Sequence, residues 1–213
     1  MAEEVKLVRR NLPGTKAKDF NAWPVQPIEE VESPLALQQY LQDQVRKDPC
    51  DMAAILTMPH GQDENVWKYE HLRQVAQQLS IVVARLQEVC TEHTCPKMQC
   101  TEEWEYLCAA HHPPKPCCAI DYIIHTLKQT ADTLNDPKLF KSRVSVPRSS
   151  AKHFQSIARR LYRIFAHCYF HHLDLFNELE SEMHLCERFT EFVTLNKLVG
   201  RKLQIIPKSF RSR

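Results

Sequence analysis

Residues 65–89, NVWKYEHLRQVAQQLSIVVARLQEV, carry the pattern that decides the fold. Val66, Tyr69, Leu72, Val75, Ala76, Leu79, Val82, Val83 and Leu86 recur at spacings of three and four, the apolar stripe of a long core helix. The break PHGQDE (59–64) precedes it. Further upstream, Ser33 followed by Pro34 is an N-cap and first-turn signal, and PLALQQYLQDQVRKD then keeps helical spacing to about Asp48. A short helix, DMAAIL (51–56), follows.

Downstream of the long helix, residues 90–116 are rich in Cys, His and Pro without a period, a structured loop region too long for a plain connector. Ile120, Ile123, Ile124, Leu127 and Ala131 mark a helix over 119–134, closed by NDPKLF. After Pro147, Ser149 and Ser150 are candidate caps for a long helix running from about Ala151 past Leu175. CERFTEFVTLNKL (186–198) is a last helical pattern before a stop at Gly200. Strand-like alternation is nearly absent, so the expectation is an all-α bundle. Residues 1–33, with Pro13, Pro24 and Pro27 and little periodicity, read as an extended N-terminal arm pinned to the body by Phe20 and Trp23. The helical domain then spans 34–206, and 207–213 is a short basic tail.

Composition narrows the function. A chain of 213 residues with 43% hydrophobic and 25% charged residues has the material for one principal core. The longest uncharged apolar runs are short, as in SIVVA (80–84), so no integral membrane association is expected. The opening MAEEVKLVRRNLPG lacks the hydrophobic block of a secretory signal, which argues for a reducing, cytoplasmic compartment. There, nine cysteines read as buried small hydrophobes and metal ligands rather than as disulfides. The only glycines are Gly14, Gly61 and Gly200, which excludes a clustered phosphate loop.

Cys90 and Cys95 form C-x4-C at the end of one predicted helix, while HCYFHH (167–172) lies on another. Two thiolates and two imidazoles can make a tetrahedral structural zinc site joining distant helices. Closing so long a loop costs roughly 4 kcal/mol, small beside the ten or so that zinc binding supplies. Spacing leaves the ligand set open, because Cys95 and Cys100 also form C-x4-C and His167 with His171 has the i, i+4 geometry a helix favours. It also leaves open that these cysteines are core filler and the histidines surface residues.

Just upstream, Arg159, Arg160 and Arg163 fall within one helical turn, interleaved with Leu161, Tyr162, Ile164 and Phe165. Three guanidinium forks on one patch suit the dianion of a phosphoserine or phosphothreonine. The plainer alternative is a solvated charged face pairing with nearby acids.

The runs RRNLPGTKAKDFNAWP (9–24), GQDENVWKYEHLRQ (61–74), WEYLCAAHHPPKPCCAIDY (104–122) and RRLYRIFAHCYFHH (159–172) closely resemble the phocein branch of the Mps-one-binder (Mob) family. The likeness extends from about Lys6 to Pro207. It implies a Mob fold: a four-helix-bundle core with additional helices, stapled by one structural zinc (Zn2+). Carried over residue by residue, the ligands are Cys90, Cys95, His167 and His172, with Cys100 and His171 as bystanders. The family's phosphopeptide pocket maps onto Arg159, Arg160 and Arg163. The resemblance further implies a non-catalytic adaptor in a striatin-interacting phosphatase and kinase assembly. Its partners there are a striatin-like scaffold, protein phosphatase 2A subunits and sterile-twenty-type kinases, with peripheral placement on Golgi or other cytoplasmic membranes. Other Mob proteins co-activate nuclear-Dbf2-type kinases. One departure is the ending SFRSR, short and basic where phocein-like proteins carry a longer acidic tail.

Enzyme readings find no support in motifs: H-E-x-x-H, H-x-E with P-C-x-x-C, and G-x-S-x-G are all missing. A zinc-dependent hydrolase would need a metal with an open coordination position. A nucleic-acid module is disfavoured by the net charge of only +2 and by the apolar face of the arginine-bearing helix.

Overall fold

A computed structural model describes residues 13–16 and 27–212. The helices in chain order are α1 (Ala36–Lys47), α2 (Met52–Leu56), α3 (Glu64–Leu86), α4 (Ala119–Leu134), α5 (Arg148–Ala151), α6 (His153–His171), α7 (Leu173–Met183) and α8 (Leu185–Leu195). Among the described residues there is no strand, only two isolated β-bridges, Gln99–Glu105 and Cys108–Lys115. No helix there is long and apolar enough to cross a membrane. Phe20 and Trp23, expected to pin the arm, lie outside the described residues.

The long helix begins at a side-chain cap. Asp63 Oδ1 accepts from the backbone N–H of Asn65 and Val66 at 2.8 and 2.9 Å, satisfying two of the first turn's free donors. α3 stops at Leu86, short of the expected Val89, because Glu88 N–H and Val89 N–H bond to the carbonyls three residues back, Arg85 and Leu86, and the last turn tightens out of α-helical geometry. Its apolar stripe is buried as the spacing predicts, except for the half-buried Ala76, and Trp67, Glu70 and His71 are buried as well. The reason is position: α3 packs against α1, α4, α6 and α8 and so has little free face. α3, α4, α6 and α8 make the bundle core, with α3 and α6 each touching the other three. α1, α2, α5 and α7 pack around it. Each large apolar side chain buried there contributes roughly 1.5–3 kcal/mol.

Several local expectations are corrected. α4 spans the predicted residues but packs through Ala119, Tyr122, Ile123, Thr126, Thr130 and Leu134, leaving Ile124 39% exposed. The predicted single helix from Ala151 past Leu175 is instead α5, α6 and α7, with a break at His172 (φ −139°, ψ 52°). Ser149 and Ser150 cap nothing: α5 has Pro147 at its N-cap, and Ser150 Oγ donates to the Leu139 carbonyl. α8 ends at Leu195 and the chain reverses at Lys197, with φ +54°, so Gly200 is not the stop. Phe210, inside the segment read as a tail, packs its ring 5.8 Å from that of Phe176.

His71 sits at the centre of this packing, its ring stacked on Phe192 at 4.6 Å and edge-on to Trp67 at 4.3 Å. Burial, helped by the Arg188 charge, pulls its pKa from 6.5 down to about 3. The folded protein therefore keeps His71 neutral where the unfolded chain protonates it. Its contribution is complete above pH 6.5 and is lost as the pH falls toward about 3. Thermal melts between about pH 7 and pH 5 should show stability falling by about 1 kcal/mol per pH unit from this residue. His71→Leu should flatten the slope by that amount; an unchanged slope would show that other groups set it.

Candidate metal centre and basic face

Cys90 follows the last turn of α3, its N–H held by the Leu86 carbonyl at 2.8 Å. Cys95 lies one turn on, its N–H bonded to the Thr91 carbonyl at 2.9 Å. Between them Thr91 and Thr94 lock each other: Thr94 Oγ1 accepts from Thr91 N–H at 2.8 Å and donates to the Val89 carbonyl at 2.9 Å. The knot folds both thiols to one side. His167 comes from the buried face of α6, and His172 from the residue where that helix ends.

The four side chains meet. Cys90 Sγ lies 3.4 Å from His167 Nε2, and Cys95 Sγ lies 3.4 Å from His172 Nε2, although each pair is 77 positions apart in the chain. All four ligand atoms lie within 4.8 Å of one another, so the group could hold a metal ion. Bond lengths of about 2.0–2.3 Å in a tetrahedron put neighbouring donors about 3.5 Å apart, close to the 3.4 Å of the two Cys–His pairs.

The surroundings prepare the donors. His167 Nδ1–H donates to the Gln99 carbonyl at 2.7 Å, which keeps the ring proton on Nδ1 and leaves the Nε2 lone pair facing the thiols. Burial holds His167 down at about 4 and lowers His172 too, so both imidazoles are neutral and able to ligate near pH 7. Burial, with the Cys95 thiol beside it, pushes the Cys90 thiol up, and a divalent cation supplies the opposite charge a thiolate pair requires.

The residues left open by spacing fall elsewhere. His171 is exposed, still in helical geometry and stacked on the His167 ring at 4.7 Å. His172 leaves the helix, and that departure turns its Nε2 toward Cys95. Cys100 is buried with its sulfur 3.7 Å from the Arg163 carbonyl oxygen.

The basic residues divide along α6. Arg163 donates to the Tyr122 hydroxyl at 2.7 Å and lies over the Tyr106 ring at 4.2 Å, a cation–π contact. Arg159 is exposed and lines a groove with Arg163, Trp104, Tyr106, Val199 and Ile205. Arg160 instead reaches Gln129 on α4, donating at 3.3 Å. Among the described residues none of the three guanidinium groups pairs with a carboxylate. Tyr106 and Tyr122, which hold Arg163, were not anticipated, since loop geometry alone brings Tyr106 under α6.

The sequence model of the Mob1/phocein family matches residues 43–204. The chain is 51% identical over 207 residues to the Drosophila melanogaster protein named MOB kinase activator-like 4, covering 97% of this chain and 93% of that one. It is 48% identical over 206 residues to the Caenorhabditis elegans MOB-like protein phocein, covering 97% and 92%.

Proposed function

The chain belongs to the Mob1/phocein family, and from that premise we propose that it is a non-catalytic adaptor of a striatin-type phosphatase and kinase assembly. In this reading it binds a striatin-like scaffold, protein phosphatase 2A subunits and a sterile-twenty-type kinase. It works in the cytoplasm, including the cytoplasmic face of Golgi or other membranes. Cys90, Cys95, His167 and His172 hold one zinc ion. Four protein donors complete a tetrahedral shell, which leaves no position for water or substrate and makes the metal structural.

Arg159, Arg160 and Arg163 are the phosphopeptide-binding residues. The observation that carries this reading is that their charges have no carboxylate partner among the described residues, while the opposite, apolar face of α6 is buried and holds the helix in place. A solvated structural face would be expected to pair them with acids. Each charge-assisted bond to a phosphate is worth roughly 1.5–3 kcal/mol.

The test is affinity purification of the tagged protein from its own cells, wild type beside Arg159→Glu/Arg160→Glu, with phosphopeptide binding measured in parallel. This pair is chosen because Arg163 also holds Tyr122 and Tyr106. Scaffold, phosphatase and kinase should co-elute with the wild type. The variant should bind a phosphopeptide at least about tenfold more weakly at an unchanged Tm. Equal affinity for phosphorylated and plain peptide would make the patch ordinary surface. Recovery of nuclear-Dbf2-type kinases instead would move the protein to the kinase co-activator role, which the name of the Drosophila relative also favours.

A further inference from the structure

A second set of metal-ligating side chains lies apart from the centre above. Cys108, His111, Cys117 and His125 bring one ligand atom each to within 4.8 Å of all the others. Cys108 Sγ is 3.4 Å from His125 Nδ1, and His111 Nε2 is 3.1 Å from Cys117 Sγ. The two imidazoles stand edge to face with centroids 5.2 Å apart. Donor types, number and separations repeat those at Cys90, Cys95, His167 and His172. Two unrelated thiol–imidazole hydrogen bonds would account for two short distances, but not for all four donors closing on one point.

We propose that Cys108, His111, Cys117 and His125 form a second zinc site, one that clips the loop before α4 onto that helix. The spacing C-x2-H-x5-C-x7-H is compact, with three ligands from the loop and the fourth from the second turn of α4. Backbone bonds set the loop in place: Cys108 N–H donates to the Lys115 carbonyl at 2.8 Å, and the Cys117 carbonyl accepts from Met98 N–H at 3.0 Å. On binding, Zn2+ displaces the two thiol protons to solvent, and two thiolates with two neutral imidazoles make a charge-neutral tetrahedral shell. Cys108 is buried and the other three are half-buried, so this ion lies nearer solvent than one at the first centre, where His167 is fully buried.

The clip has a structural consequence at the basic face. Tyr106, two residues before Cys108, carries the ring under Arg163, and its N–H bonds to the Met98 carbonyl at 2.8 Å. The second ion therefore holds one wall of the arginine groove. It stands independently of the adaptor reading, since it rests on donor geometry alone.

Zinc in the purified full-length chain, measured by elemental mass spectrometry against protein concentration, tests the proposal. The wild type should carry two zinc ions per chain, and Cys117→Ser and His125→Gln one each, with helical circular dichroism retained. One zinc in the wild type, or two in both variants, would overturn it. So would an intact-mass deficit showing a Cys108–Cys117 disulfide. If the variants fail to fold, cobalt(II) loading of the wild type decides: ligand-field absorption equivalent to two tetrahedral two-thiolate centres supports the site, and absorption equivalent to one removes it.

Discussion

His167→Ala should leave no cooperatively folded protein. The imidazole is fully buried, so its loss opens a cavity, orphans the Gln99 carbonyl and strips one of four donors from the centre. The zinc proposed there would join the end of α3 to the end of α6 across 77 residues, and structural zinc supplies roughly 10 kcal/mol or more of folding free energy. A domain of this size holds about 5–15 kcal/mol in total, so losing most of the metal's share exhausts it. The variant should aggregate or show non-cooperative thermal unfolding by circular dichroism, as should the wild type with a strong chelator. His172, only half-buried, should do less damage when replaced. A His167→Ala protein melting with the wild type would show that the bundle does not depend on the centre.

Arg143→Ala is expected to lower stability by about 3–5 kcal/mol, or about 10 °C in Tm. Arg143 lies in the loop after α4, yet its Nε and Nη2 donate to both oxygens of Glu70 on α3 at 2.6 Å. Nη2 also donates to Gln38 on α1 at 2.8 Å, so one guanidinium ties three segments together. The Glu70 side chain is only 1% exposed, and without Arg143 its carboxylate would be a buried charge with no counterion. Arg143→Lys should recover little, because an ammonium cannot reproduce the two-pronged contact. Glu70→Leu/Arg143→Met should recover most of the loss, since two well-packed apolar residues remove the desolvation cost from both sides. A single Arg143→Ala within about 1 kcal/mol of wild type would mean that water reaches Glu70.

These two residues mark how far the sequence could be read. His167 was legible as a candidate ligand because ligand chemistry is local: Cys-x4-Cys and the HCYFHH run announce thiol and imidazole donors wherever the chain takes them. Arg143 was not, as nothing around it distinguishes a surface arginine from the partner of a buried acid 73 positions away. The second set of donors was missed for a related reason. His125 reads as part of the α4 helical pattern, while Cys108, His111 and Cys117 sit in an aperiodic loop whose path no spacing rule predicts.

By itself, the sequence determined that the protein is all-helical, that residues 65–86 belong to its central helix, and that two stretches, 90–116 and 167–172, are rich in cysteine and histidine. Helical periodicity and donor chemistry are properties of neighbouring residues and survive without knowledge of the fold. Only the tertiary structure decided which face of α4 is inside, because packing against α3 and α6 buries its threonines and leaves Ile124 half out. It likewise decided where α6 stops. Local propensity favours helix through His171 and beyond, yet His172 gives up helical backbone and so brings its imidazole to Cys95 at the far end of another helix.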